Sequence, residues 1–259
     1  MGIMNHVTFD GVDLTTYGLY VSGDKTFNSP EKNIKKVSIP GRSGDLLIWD
    51  GTYKNVKLKY NSILIENFSQ NAENLRNFLL SRDGYVKLSD DYHPNEYRLA
   101  SYSGPLEFSP VRLAAGTATL EFNCRPERFL NSGETLFYVH EGNSIENPTM
   151  QPAYPYLLVA SDNNNTTTIR CDCYRDADYI ATYTMEVAPR SYSVMIDCET
   201  MDCWKLPDFL GDPKVYHNEL ITVGDTGYLK LLPGTNIFNL DPDNENNPNC
   251  MLTPRWYVL

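Results

Sequence analysis

Apolar and polar residues alternate along much of this chain, most cleanly at 117–124. There Ala118, Leu120, Phe122 and Cys124 take one set of positions, and Thr117, Thr119, Glu121 and Asn123 take the other. Successive side chains of a strand point to opposite faces, so this run reads as a half-buried strand. Val56, Leu58 and Tyr60 alternate with Lys57 and Lys59 in the same way. Shorter strands are predicted at 7–14 around an Asp10-Gly11 turn, at 85–88 and at 97–102, the last two joined by a polar turn over 89–95. One stretch, 67–84, has a helical period instead, with Phe68, Ala72, Leu75, Phe78 and Leu79 on one stripe. Asn67 is placed as its N-cap with Gln70 as the capping-box partner, and Arg82-Asp83-Gly84 as its stop.

Arg125-Pro126-Glu127-Arg128 is expected to end the patterned strand, which sets a domain boundary near Asn131 and divides the chain into 1–131 and 132–259. Beyond it no helical period appears. Short apolar runs at 154–160, 167–173, 191–197, 228–232, 236–240 and 255–259 are separated by turn clusters, which predicts a β-sandwich or jelly roll. The expected class is therefore mainly β with one helix.

The stretch 37–60, VSIPGRSGDLLIWDGTYKNVKLKY, organises the first half. It predicts a strand through Val37 and Ile39, a glycine-hinged break at 40–44, a strand at 45–49, a hairpin turn at Asp50-Gly51 and a third strand at 56–60. The preceding 24–36 is polar, contains Pro30, and is expected to be an extended arm or loop. It is longer than the roughly 2–5 residues that link an ordinary hairpin. Leu46, Leu47, Ile48 and Trp49, with Arg42 in the bend, are apolar groups and a cation in need of a surface. They are the candidate subunit-interface residues, and 24–54 is expected to reach across a subunit boundary. The competing expectation is that this hairpin folds back on its own domain.

Composition narrows the function. Aromatic residues are abundant, with 18 Tyr, 10 Phe and 3 Trp, which favours strands over helices. A net charge of −11 and a pI near 4.8 argue against a surface that grips nucleic acid. No apolar run resembles a signal peptide or a membrane span, so membrane insertion is not expected and the six cysteines should be reduced. Cys171, Cys173, Cys198 and Cys203 are the metal candidates, but their spacings do not match paired zinc ligands, and buried thiols are the expectation. Asp90-Asp91-Tyr92-His93 with Glu96 suggests acid–base chemistry, against which a solvated turn is the simpler reading. Asp241, Asp243 and Glu245 begin like a calcium loop, yet Asn246 and Leu252 stand where glycine and a carboxylate are needed. No catalytic, metal or cofactor motif is found, and no enzyme activity is expected.

The order of the motifs carries a family resemblance. VSIPGRSGDLL, DGTYKNVKLKY and NAENLRNFLLSRDGYVKLSDDYHPNEYR follow one another, then TATLEFNCRPERFL, IENPTMQPAYPYLLV, IDCETMDCW, LLPGTNIFNL and PRWYVL. Together they resemble the distal tail proteins of long-tailed, non-contractile bacteriophages over essentially the whole chain. The resemblance implies an N-terminal ring-forming belt domain, a β-sandwich with one helix and a projecting hairpin, followed by a galectin-like β-sandwich. It implies a structural virion protein at the tail tip or baseplate, made in the host bacterial cytoplasm. Its first partner would be itself, in a homohexameric ring joining the major tail tube protein to the tail-associated hub protein. Receptor-binding or other baseplate proteins are further implied partners. A second reading is a carbohydrate-binding module for host-surface recognition, with Trp204 and Tyr174 as the glycan platform and Tyr179 and Tyr183 beside them.

Overall fold

The computed structural model describes residues 5–22, 28–112, 115–207, 212–241 and 250–259. The chain is mainly β and separates into two compact units, 1–128 with Leu259, and 129–258.

In the first unit, strands lie side by side in the order Val12–Asp13, Val7–Phe9, Val86–Asp90, Glu96–Ser101, Ala115–Leu130, Val56–Ile65 and Leu19–Ser22. The central pair follows the sequence alternation. Leu120 faces Tyr60, Phe122 faces Leu58 and Cys124 faces Val56 on the buried side, while Glu121 faces Lys59 on the other. Both Lys57 and Lys59 reach Glu121, at 2.8 and 3.1 Å, a solvent-exposed arrangement that adds little stability. The helix Phe68–Leu80 lays Ala72, Leu75, Phe78 and Leu79 into this core, with Phe9 and Phe122 packed 5.0 Å apart nearby.

The helix does not begin as its sequence suggests. Asn67 makes no side-chain cap, and Gln70 bonds Asn74 instead of reaching back. Glu66 and Asn67 both have positive φ, because the chain must reverse direction between the long strand and the helix packed on it. The Glu66 carbonyl instead accepts from Asn71 Nδ2 at 3.0 Å. Gly18 serves the same junction. Its φ is +70°, and an added Cβ would lie 2.3 Å from the carbonyl oxygen of Ile65.

Arg125-Pro126-Glu127-Arg128 does not end its strand either, which runs on to Leu130. The recorded pairing with Val56–Ile65 stops at Cys124, so Pro126 lies past the last residue that needs a donor on that side.

The second unit stacks two five-stranded sheets. One runs Phe137–Tyr138, Cys250–Thr253, Tyr156–Val159, Val194–Asp197, Asp202–Lys205; the other runs Asn143–Asn147, Gly234–Asp241, Thr167–Arg175, Asp178–Val187, Ile221–Val223. Leu157, Ile196 and Leu252 from the first meet Ile169, Met185 and Phe238 from the second in one core. The strand Asp178–Val187 was not expected, and the run 228–232 forms no strand. Arg255, in a left-handed conformation, bonds Asp197 Oδ1 at 3.0 Å and ties the last loop to the first sheet.

Candidate assembly surface

The stretch that organises the sequence becomes a separate two-stranded sheet. Lys32–Val37 pairs with Leu46–Tyr53, and neither pairs with another strand among the described residues. Part of the run expected to be a loop is thus a strand, while residues 24–27 of that run lie outside the described residues. The reversal falls at 38–45, where Gly41 and Gly44 have φ of +78° and +86° and Arg42 N–H donates to the Ile39 carbonyl at 3.2 Å.

Asp50-Gly51 does not turn the chain. Lys32 faces Tyr53 and Ile34 faces Trp49, so residues 50–52 bulge opposite Asn33. The Asp50 carboxylate accepts from Thr52 N–H at 2.8 Å and from Thr52 Oγ1 at 2.7 Å. These two bonds close the bulge locally and hold the Asp50 carboxyl below its usual range, the hydroxyl bond contributing most. Trp49 is fixed as well, donating its indole N–H to the Thr52 carbonyl at 2.9 Å, with its ring against Tyr53 and under Lys32 Nζ.

Register decides what each face of the hairpin presents. Directly opposed residues share a face. One face therefore carries Ile34 with Trp49 and Lys36 with Leu47; the other carries Lys35 with Ile48 and Val37 with Leu46. Leu47, Ile48 and Trp49 are 60%, 47% and 45% exposed, and Leu46, Ile34 and Ile39 are exposed too. Arg42 sits exposed at the bend. A lone two-stranded hairpin is marginal in water, and one apolar on both faces calls for cover on both. Ile34 extends the interface set beyond what the sequence suggested. Ile34 was hidden in a polar run whose lysines obscure its alternation.

The other candidates fall elsewhere. Trp204 is only 8% exposed, wedged among Tyr156, Tyr216 and Lys214, whose Nζ lies 3.7 Å from the ring centre. Tyr174 belongs to the opposite sheet, where it packs against Tyr179, and Tyr183 is buried. The structure does not bring Trp204 and Tyr174 together.

All six cysteines are free and buried, five of them in the second core. Burial pushes the Cys124 and Cys250 thiols up to about 12 and Cys203 up to about 11. Among the described residues no group of His, Cys, Asp or Glu is arranged to hold a metal ion. Asp241 ends a strand, and the rest of the calcium-like loop, 242–249, lies outside the described residues.

The 90–93 turn is solvated only in part: Asp91 is exposed, while Asp90 and His93 are drawn inward. Asp90 Oδ2 accepts from the buried Tyr60 hydroxyl at 2.6 Å, and its Oδ1 accepts from His93 N–H at 2.8 Å. Burial, with Asp90 adjacent, raises the Tyr60 hydroxyl well above its usual range. Arg128 reaches Glu96 at 3.1 Å in the same network, which binds a turn to the sheet.

Residues 12–124 match the family model of the phage tail protein RIFT-related domain. The whole chain is similar in structure to the Dit (gp 19.1) protein of phage SPP1, described as a paradigm of hub adsorption apparatus in phages that infect Gram-positive hosts. The TM-score is 0.65 at 15% identity, over 96% of this chain and 97% of that one. It is also similar to a chain of the phage p2 baseplate in its activated conformation with Sr, with TM-score 0.53, 8% identity and coverage of 96% and 97%. The same baseplate with Ca gives 0.52, 8%, 96% and 96%. No curated protein sequence matches significantly. At these identities the structural likeness establishes the fold alone: residues 12–124 match the phage tail domain model, and the chain folds like the phage tail and baseplate chains above.

Proposed function

We propose that this protein, built on a phage tail domain, is a distal tail protein of a long-tailed, non-contractile phage. Its role is structural and non-catalytic. In this reading six copies close a ring at the tail tip through residues 1–131, while residues 132–259 form a second, independently folding sandwich. One side of the ring takes the major tail tube protein, and the other takes the tail-associated hub protein and further baseplate components.

The observation that carries this reading is the hairpin Lys32–Val37 with Leu46–Tyr53, an ordered, isolated ribbon with exposed apolar groups on both faces. A neighbouring copy covers such a ribbon at the cost of one contact type, and repeating a head-to-tail contact with closure gives a ring. The tail and baseplate likeness supports the same assignment. Light scattering with negative-stain imaging of the purified full chain tests it. A mass of six copies and six-fold rings are expected; a monomer across the accessible concentration range would refute the ring.

A further inference from the structure

We propose that the bend of the hairpin seats in a polar cleft on the next copy of the chain, where Arg42 of one subunit meets Glu107 of its neighbour. This inference rests on the ring reading above and names the surface that receives the ribbon.

The cleft belongs to the first unit. Its lining includes Asn61, Thr117 and Thr119, exposed positions of the two central strands, with Ser22, Glu107 and Ser109 beside them. It holds about 550 Å³, within the size range of sites that enclose a whole ligand, so it has room for a tight bend. The Thr119 hydroxyl donates to Asn61 Oδ1 at 3.3 Å. Glu107 is exposed, and its carboxylate has no hydrogen bond or ion pair among the described residues. A carboxylate among hydroxyl and amide oxygens offers acceptors on several sides, which suits a guanidinium with five donors and repels an anion.

The rim is apolar. Leu80, 53% exposed, lies beside the cleft wall at 104–105, its Cδ2 3.7 Å from where a Cβ on Gly104 would stand. Val111 is the extra residue of the strand Ser109–Arg112, opposite the step from Ala115 to Gly116, and is 59% exposed. A bulge of this kind turns a side chain out of the ladder.

The hairpin presents the complement in the same order. Its bend is slim and polar: a Cβ on Gly41 or Gly44 would meet no atom within 4 Å, and the exposed Arg42 side chain between them has no partner among the described residues. Exposed Leu46 and Leu47 follow directly. A cationic tip with an apolar stem thus matches an anionic cleft with an apolar rim. The wider charge balance agrees. Residues 31–54 hold five basic and three acidic side chains, and the rest of 1–128 holds ten and twelve. Each copy carries one tip and one cleft, and the two patches differ. Their contact is therefore head-to-tail, the kind that closes into a ring and not into a two-fold dimer.

The test is charge reversal in the full-length chain, with assembly followed by light scattering and folding by circular dichroism. Arg42→Glu and Glu107→Arg should each stay folded and raise the concentration needed for rings by about tenfold or more, since like charges then face each other at every contact. Both reversals in one chain should restore the rings. An equimolar mixture of the two single variants should also form rings, in which the variants alternate. Rings that survive either single reversal would assign the cleft to another partner and overturn the contact while leaving the ring intact. Rings that stay lost both in the double reversal and in the mixture would overturn it too. A monomeric wild type would refute the ring itself, and this contact with it.

Discussion

The two units are almost equal in length, yet they treat charge and apolar surface in opposite ways. Residues 1–128 hold 15 basic and 15 acidic side chains; residues 129–259 hold 7 and 18, so the whole net charge of −11 belongs to the second unit. The first unit also carries the exposed apolar ribbon, whose residues 31–54 hold five basic and three acidic groups. The second keeps its strongly apolar strands against one another and turns tyrosine, threonine and charge outward. Copies of a neutral unit approach one another without long-range repulsion, while copies of the acidic unit repel. In the proposed assembly the first unit is therefore suited to touch its own kind, and the second to stay apart and face other molecules.

The sharpest way to break this contrast is to damage one core and watch the other. Phe238 is fully buried between the two sheets of the second unit, so Phe238→Ala should cost about 3–5 kcal/mol. If the units fold independently, calorimetry will show two transitions, of which only the second moves down. A single transition that moves as a whole would mean a shared core.

Alkali should also act more strongly on the second unit, which holds four of the five buried thiols whose pKa is raised, Cys171, Cys198, Cys203 and Cys250. A thiol whose folded pKa is raised from 9.0 to about 12 binds its proton more tightly in the folded than in the unfolded state. The stability it contributes is complete below pH 9 and is lost as pH climbs from about 9 towards 12. Denaturation midpoints should accordingly fall over that window. At pH 8 the native chain should react slowly with a thiol reagent, and all six thiols should react once it is unfolded. Fast reaction in the native state would show that the thiols are accessible.

Salt should produce the smallest difference. Screening relieves self-repulsion in the acidic unit, so going from low salt to about 0.5 M should raise its melting temperature by about 2–4 °C and leave the neutral unit nearly unmoved. Equal shifts in both would show that the segregated charge has no energetic consequence.

The sequence announced the parts of this fold that depend on local alternation. The strand carrying Leu120 and Phe122 and the helical stripe from Ala72 to Leu79 are where their periods place them. What failed depended on distant partners. Asp50-Gly51 signals a positive φ, but whether the chain reverses there is decided by the pairing of Lys32 with Tyr53. The hairpin ending in Asp178–Val187 was missed because its turn uses Asp176 and Ala177 in place of glycine. Among the site residues, Leu46, Leu47, Ile48 and Trp49 were legible as apolar groups without a home, while Ile34 became visible only through its register with Trp49. Trp204 looked like a binding platform because sequence cannot show that Lys214 and Tyr216 cover it.

The central claim is that the hairpin is covered by another copy of the chain. The direct test is the solution mass of Leu47→Ser/Trp49→Ser measured by light scattering beside wild type, with circular dichroism to confirm folding. Both side chains lie on one face of the ribbon and both are exposed, so the subunit itself should lose little. The account predicts a folded monomer where wild type forms a six-copy ring. A double variant that still assembles into rings, or that unfolds outright, would contradict it.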